Sequence, residues 1–174
     1  MKANDGLVLR LERFLPFPRA VVYRALTEPG ELVKWWGPRG FSVPAIAFNP
    51  QVGGRFRITM QPPDGDAFHL SGTFREVDPP ARLAYTFQWT PPDPDDRETL
   101  AALSLEERDG GTELVLTHSG FATEQRRALH EAGWTESLDR LEQALSARHI
   151  ERSFSSRLAP SSERPPPGSG SGDL

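Results

Sequence analysis

An α+β fold is predicted, with a curved antiparallel sheet of about seven strands wrapped around a long C-terminal helix. Three observations predict it. The last amphipathic segment, from Thr123 to about Ile150, places Trp134, Leu138, Leu141 and Leu145 at steps of four, three and four. That spacing is one stripe of an α-helix. Ahead of it lies a series of short segments with period-two alternation, separated by Pro- and Gly-rich turns, the pattern of strands with one buried face. Between the first and second of these segments sit two short stretches of helical spacing.

The first strand spans Leu7 to Leu15, where Leu7, Leu9 and Leu11 alternate with Val8, Arg10 and Glu12. Pro16 and Pro18 end it, and Pro18 suits the first turn of a helix, where its missing N–H costs nothing. Val22, Ala25 and Leu26 carry that helix to Thr27. Pro29 starts a second one through Leu32 to Trp36, and Gly37-Pro38 stops it. Phe41 to Phe48 reads as a strand, and Pro44 within it demands a sheet edge. Gly53-Gly54 is a turn. Phe56, Ile58 and Met60 then alternate, followed across Pro62-Pro63-Asp64-Gly65 by Phe68, Leu70, Gly72 and Phe74, so these two strands form a hairpin. Pro79-Pro80 precedes a strand with Leu83, Tyr85, Phe87 and Trp89 on one face. After the acidic loop from Pro91 to Arg97 come strands from Thr99 to Glu107 and from Thr112 to Ser119, joined at Asp109-Gly110-Gly111. Residues 1–6 form an N-terminal extension, 7–150 one domain, and 154–174 a Ser/Pro/Gly-rich tail expected to be disordered.

Bulk properties exclude several classes. Apolar residues make up 37% and charged residues 25% of the 174, ordinary for a globular chain with a polar tail. The net charge of -4, without a basic cluster, gives a nucleic-acid surface no electrostatic support. The absence of cysteine excludes disulfides, thiol catalysis and thiolate metal sites. No leader-like apolar stretch opens the chain, and no apolar run reaches the roughly 20 residues that span a bilayer, so a cytoplasmic location without a membrane partner is expected.

No catalytic motif emerges. Ser71-Gly72 and Ser119-Gly120 lack the preceding glycine of a nucleophile elbow. Gly53-Gly54 is no phosphate loop. The four histidines, His69, His118, His130 and His149, have no metal-site spacing. Asp93, Asp95 and Asp96 lack calcium-loop spacing and read as a solvated loop. Neither a metal nor another cofactor is expected. What stands out is aromatic: Phe56, Phe74, Tyr85, Phe87, Trp89 and Trp134 are assigned inward by alternation and helical spacing. They either fill the interior or line a cavity left in it. Trp35 and Trp36 are adjacent and diverge by about 100° on a helix, so one can plug the core while the other lines a cavity mouth, or both can pack. His118 shares a strand face with Leu114 and Leu116. It reads either as a hydrogen-bonded core residue or as a neutral imidazole that orients a ligand.

Local sequence adds a resemblance. Ala25-Leu26-Thr27-Glu28-Pro29-Gly30-Glu31-Leu32, Trp35-Trp36-Gly37-Pro38, Val52-Gly53-Gly54-Arg55-Phe56, Glu76-Val77-Asp78-Pro79-Pro80-Ala81-Arg82-Leu83, Gly111-Thr112-Glu113-Leu114 and Gly133-Trp134 occur in this order. Together they resemble bacterial proteins similar to the C-terminal domain of the activator of heat shock protein ninety ATPase. Those proteins belong to the START-like, or SRPBCC, superfamily with its birch-pollen-allergen-like helix-grip fold. The resemblance covers about residues 7 to 150 and implies a hydrophobic cavity between sheet and helix. The expected function is binding of an apolar small molecule by Trp35, Trp36, Phe56, Phe74, Tyr85, Phe87, Trp89, His118 and Trp134. Two alternatives stand beside it: a cavity enzyme of the cyclase or hydratase kind using His118 or Tyr85 as acid–base, and a module that contacts a chaperone.

Overall fold

A computed structural model describes residues 6–158, with side chains to Phe154. In chain order the elements are β1 (Leu7–Leu15), α1 (Arg19–Thr27), α2 (Pro29–Trp35), β2 (Ser42–Phe48), β3 (Arg55–Gln61), β4 (Phe68–Asp78), β5 (Arg82–Thr90), β6 (Thr99–Arg108), β7 (Gly111–Phe121) and α3 (Glu124–Leu158). All seven strands pair antiparallel in one sheet, in the order β1-β7-β6-β5-β4-β3-β2. The sheet curves around α3, which is the helix-grip arrangement.

Local chemistry sets the boundaries. Pro18 sits just outside α1 as its N-cap residue, and Pro29 occupies the first turn of α2. Pro44 falls where the β2–β3 register shifts, between Ser42 and Ala45, on the edge strand of the sheet. A ladder position without an N–H is tolerated there. Asp109 and Gly110 both take positive φ (48° and 76°) between the paired residues Arg108 and Gly111, a two-residue turn whose twist matches that of the flanking strands. The sheet bends where β4 slips register against β5 between Phe74 and Glu76, and again where β7 slips against β1 beside Gly120. Gly72 has no alternative in its place. A Cβ there would run into the Thr86 carbonyl oxygen and the Phe56 ring, which lies across the bare backbone.

The Thr123 hydroxyl accepts the Arg126 amide (3.2 Å) at the start of α3. Trp134, Leu138, Leu141 and Leu145 are all buried, and His130 and Ser137 complete the same stripe. The helix runs past the expected end at Ile150 to Leu158. Residues 154–158 of the expected tail are therefore helical, and 159–174 lie outside the described residues. Arg13 on β1 bonds Asp139 on α3 (2.6 Å) and holds the helix to the sheet edge. No described helix is long and apolar enough to cross a membrane.

Leu141 is fully buried at the centre of the stripe, whereas Leu129 on the same helix is more than half exposed. Leu141→Ala is expected to cost about 2–5 kcal/mol in urea unfolding, and Leu129→Ala less than about 0.5 kcal/mol. A smaller loss at Leu141 than at Leu129 would contradict the helix register.

Candidate functional site

The two ends of the space between sheet and helix are filled differently. At one end Phe48, Phe56, Phe74 and Tyr85 form a continuous aromatic cluster, with ring centroids 4.9 to 5.8 Å apart. At the other end lies a cavity of about 600 Å³, a size typical of small-molecule sites. Its inner wall is Phe87 and Trp89 of β5, facing Trp134 and Gly133 of α3. Trp36, Gly37 and Pro38, just after α2, form a second wall. Phe41, Met60 and Phe68 close the side, with Phe41 and Phe68 edge-to-face at 6.0 Å. The mouth carries Asp66, the β5–β6 loop with Asp93 and Asp96, and Arg126, Leu129 and Glu136 of α3.

The imidazoles of His118 and His130 and the indole N–H groups of Trp89 and Trp134 are paired within the protein. His130 Nδ1 donates to the Arg126 carbonyl oxygen (2.7 Å), which leaves Nε2 to accept the Trp89 indole N–H (2.9 Å). His118 Nδ1 accepts the Trp134 indole N–H (3.0 Å), so the proton sits on Nε2, which donates to Thr99 Oγ1 (2.7 Å). That hydroxyl donates in turn to the Phe87 carbonyl oxygen (3.3 Å). Both imidazoles are thus neutral acceptors for tryptophans that line the cavity. Burial, with His130 adding to it, pushes the His118 pKa down to about 3, and burial also lowers that of His130.

Charged side chains brace the walls. One guanidinium nitrogen of Arg140 on α3 donates to the carbonyl oxygens of Trp36, Gly37 and Pro38, at 3.0, 2.9 and 3.1 Å. Gly37 holds φ +93° in this segment, so the chain can fold its carbonyls onto the arginine. Glu136 accepts the Arg39 amide (3.1 Å) from the same stretch. At the mouth Arg126 pairs with Asp96, whose carboxylate also accepts the Asp93 amide (2.7 Å). The acidic loop expected to be merely solvated is therefore anchored to the start of α3, and the Asp96 side chain is largely buried.

Of the nine residues expected to line a cavity, Trp36, Phe87, Trp89 and Trp134 do so. Trp35 plugs the core instead, and its indole N–H donates to the Ala25 carbonyl oxygen (2.9 Å). Phe56, Phe74 and Tyr85 belong to the filled end. His118 lies behind Phe87 and Trp134, fully buried. Neither group proposed for acid–base chemistry reaches the cavity. Tyr85 is buried, which raises its pKa, and both nitrogens of His118 are occupied. Sequence reasoning missed His130, Arg126, Phe41, Met60 and Phe68. His130 stands four residues before Trp134 and so extends the helical stripe, a signal present in the spacing. Among the described residues no group of three or more His, Asp or Glu is placed to hold a metal.

A family model described as Activator of Hsp90 ATPase homolog 1-like protein matches residues 16–146. The chain belongs to this family. Its solved structures share the fold: a protein from Nitrosomonas europaea (31% identity, TM-score 0.70, 83% of this chain and 97% of that one) and the AHSA1 protein from Silicibacter pomeroyi (30%, TM-score 0.73, 82% and 100%). A protein from Chromobacterium violaceum also matches, at 26% identity and TM-score 0.73 over 78% of this chain and 94% of its own. No curated protein matches the chain. Within this AHSA1-like fold the cavity lies between β5, the start of α3 and the segment after α2.

The buried histidines make stability depend on pH. In the unfolded chain His118 takes up a proton near its ordinary pKa of about 6.5, whereas the folded protein excludes that proton down to about 3. The contribution is fully present above pH 6.5 and is lost as pH falls toward 3. Below pH 6 the slope from one such group approaches about 1.4 kcal/mol per pH unit. Urea unfolding at pH 7 and pH 5 is expected to show this loss, and His118→Gln to show a smaller one. An equal loss in both proteins would contradict the neutral, buried imidazole.

Proposed function

We propose that this AHSA1-like protein binds a small molecule with a substantial apolar body in the cavity beside Trp36, Phe87, Trp89 and Trp134. The observation that carries this reading is the contrast between the two ends of one interior. The same sheet and helix pack aromatics face to edge at one end and leave about 600 Å³ open at the other. Apolar surface left facing that space forfeits burial and dispersion contacts. The braces that keep the wall apart, Arg140 on three carbonyls and Glu136 on the Arg39 amide, stop it from collapsing inward. Inside, the indole N–H groups of Trp89 and Trp134 are already satisfied by His130 and His118, so at these two residues the ligand's body meets rings rather than donors. Binding and release, with no bond broken, is the chemistry these groups support.

The family description also supports a second reading, contact with an Hsp90-type chaperone. Stimulation of chaperone ATP hydrolysis by the purified chain distinguishes it from ligand binding alone.

Gly133 supplies a direct test. Glycine within a helix costs about 1 kcal/mol relative to alanine. A Cβ at this position would meet only the Pro38 ring, at 3.9 Å. Gly133→Leu is therefore expected to keep or raise the melting temperature while weakening binding of a neutral apolar fluorescent probe by about tenfold or more. Tryptophan quenching by the probe measures it. Unchanged probe affinity in a folded Gly133→Leu protein would contradict binding in this cavity.

A further inference from the structure

We propose that the ligand is an organic cation, with an apolar or aromatic body inside the cavity and an ammonium-type group held at its mouth. This rests on the ligand-binding reading above and adds the chemical class. Two independent features of the lining point to it. The first is the wall, which carries six aromatic residues: Trp36, Phe41, Phe68, Phe87, Trp89 and Trp134. The indole donors of Trp89 and Trp134 are turned to histidine nitrogens, so these two tryptophans offer a ligand only ring surface. Ring faces are electron-rich and attract cations, most strongly where water is partly excluded.

The second feature is the charge at the mouth. The lining holds four carboxylates, Asp66, Asp93, Asp96 and Glu136, against one guanidinium, Arg126, an excess of three negative charges. Arg126 is committed to Asp96 and reaches Asp93 at 3.5 Å. Asp66 is exposed and makes no ion pair among the described residues, and the Asp93 side chain is 71% exposed. Asp66, and Asp93 with only the longer Arg126 contact at 3.5 Å, are therefore the acceptors most available to a ligand. A neutral apolar ligand would make no use of them. An anion would have to approach against the excess, and the one guanidinium in the lining already faces two carboxylates. An ammonium is favoured by both features at once, by the ring faces inside and by the carboxylates at the rim.

The test uses three probes of one shape on the full chain: naphthylethylammonium, its neutral N-acetyl derivative and naphthylpropionate. Isothermal titration at low and high salt gives their affinities. The ammonium is expected to bind at least about tenfold more tightly than either of the others, with an advantage that shrinks as salt screens the mouth. In the Asp66→Asn, Asp93→Asn double variant, its advantage over the neutral probe on the same variant is expected to shrink several-fold, leaving the part that the rings supply. Equal affinities of all three probes would overturn the cationic class and leave the cavity reading standing. Tightest binding of the propionate, or a preference for the ammonium that the double substitution leaves undiminished, would also overturn it. Binding of none of the three would overturn the cavity reading and this inference together.

Discussion

A single helix about 10 Å across must cover the concave face of a sheet seven strands wide, with strands about 4.8 Å apart. The rest of the structure follows from that mismatch. The sheet curls, helped by the β4 and β7 register slips, and the stripe from His130 to Leu145 lies along its inside. The space the helix leaves uncovered has to be filled by side chains or held open. At one end the edge-to-face and tilted rings of Phe48, Phe56, Phe74 and Tyr85 fill it. Gly72 lets them do so by giving up its own side chain to the Phe56 ring. Near the start of α3 it is held open.

Holding a cavity open in a folded protein requires walls that do not relax. Here they are braced by polar contacts placed outside the apolar lining. Arg140 reaches three consecutive carbonyls after α2, and Asp96 ties the β5–β6 loop to Arg126. The two histidines solve a different problem. An indole N–H turned away from water costs free energy unless it is bonded. His118 and His130 each accept one from a lining tryptophan and satisfy their own second nitrogen on the protein. That pairing explains why His118, a candidate acid–base on the sequence alone, is a support for Trp134 and not a reactive group.

The fold was largely legible because its signals are periodic. The spacing of Trp134, Leu138, Leu141 and Leu145 gives the helix and its buried face. Alternation in β3, β4 and β5, with turn chemistry at Asp64-Gly65 and Asp109-Gly110, gives strands and partners, and Pro44 marks the edge. The site was legible only in part. Alternation says that Phe56, Tyr85 and Phe87 all point inward, but not that Phe56 and Tyr85 meet other rings while Phe87 meets space. That depends on which part of the sheet α3 crosses, a tertiary fact absent from any local pattern. Phe41 lies in an irregular stretch before β2 and Phe68 at the start of a strand, so neither belongs to a strong period. Asp96 and Arg126 are thirty positions apart and are joined by the way the loop packs on the helix, so the acidic loop read as solvated.

The central claim is that the space between Phe87, Trp134 and Phe68 is a persistent apolar cavity, not slack that closes in solution. Diffraction from crystals of the protein held under xenon tests this most directly, because xenon occupies apolar cavities without needing a polar partner. The account predicts xenon density beside Phe87 and Trp134, with the segment from Trp36 to Phe41 unmoved. Absence of density there, with Trp36 or Phe68 turned inward to fill the space, would contradict it.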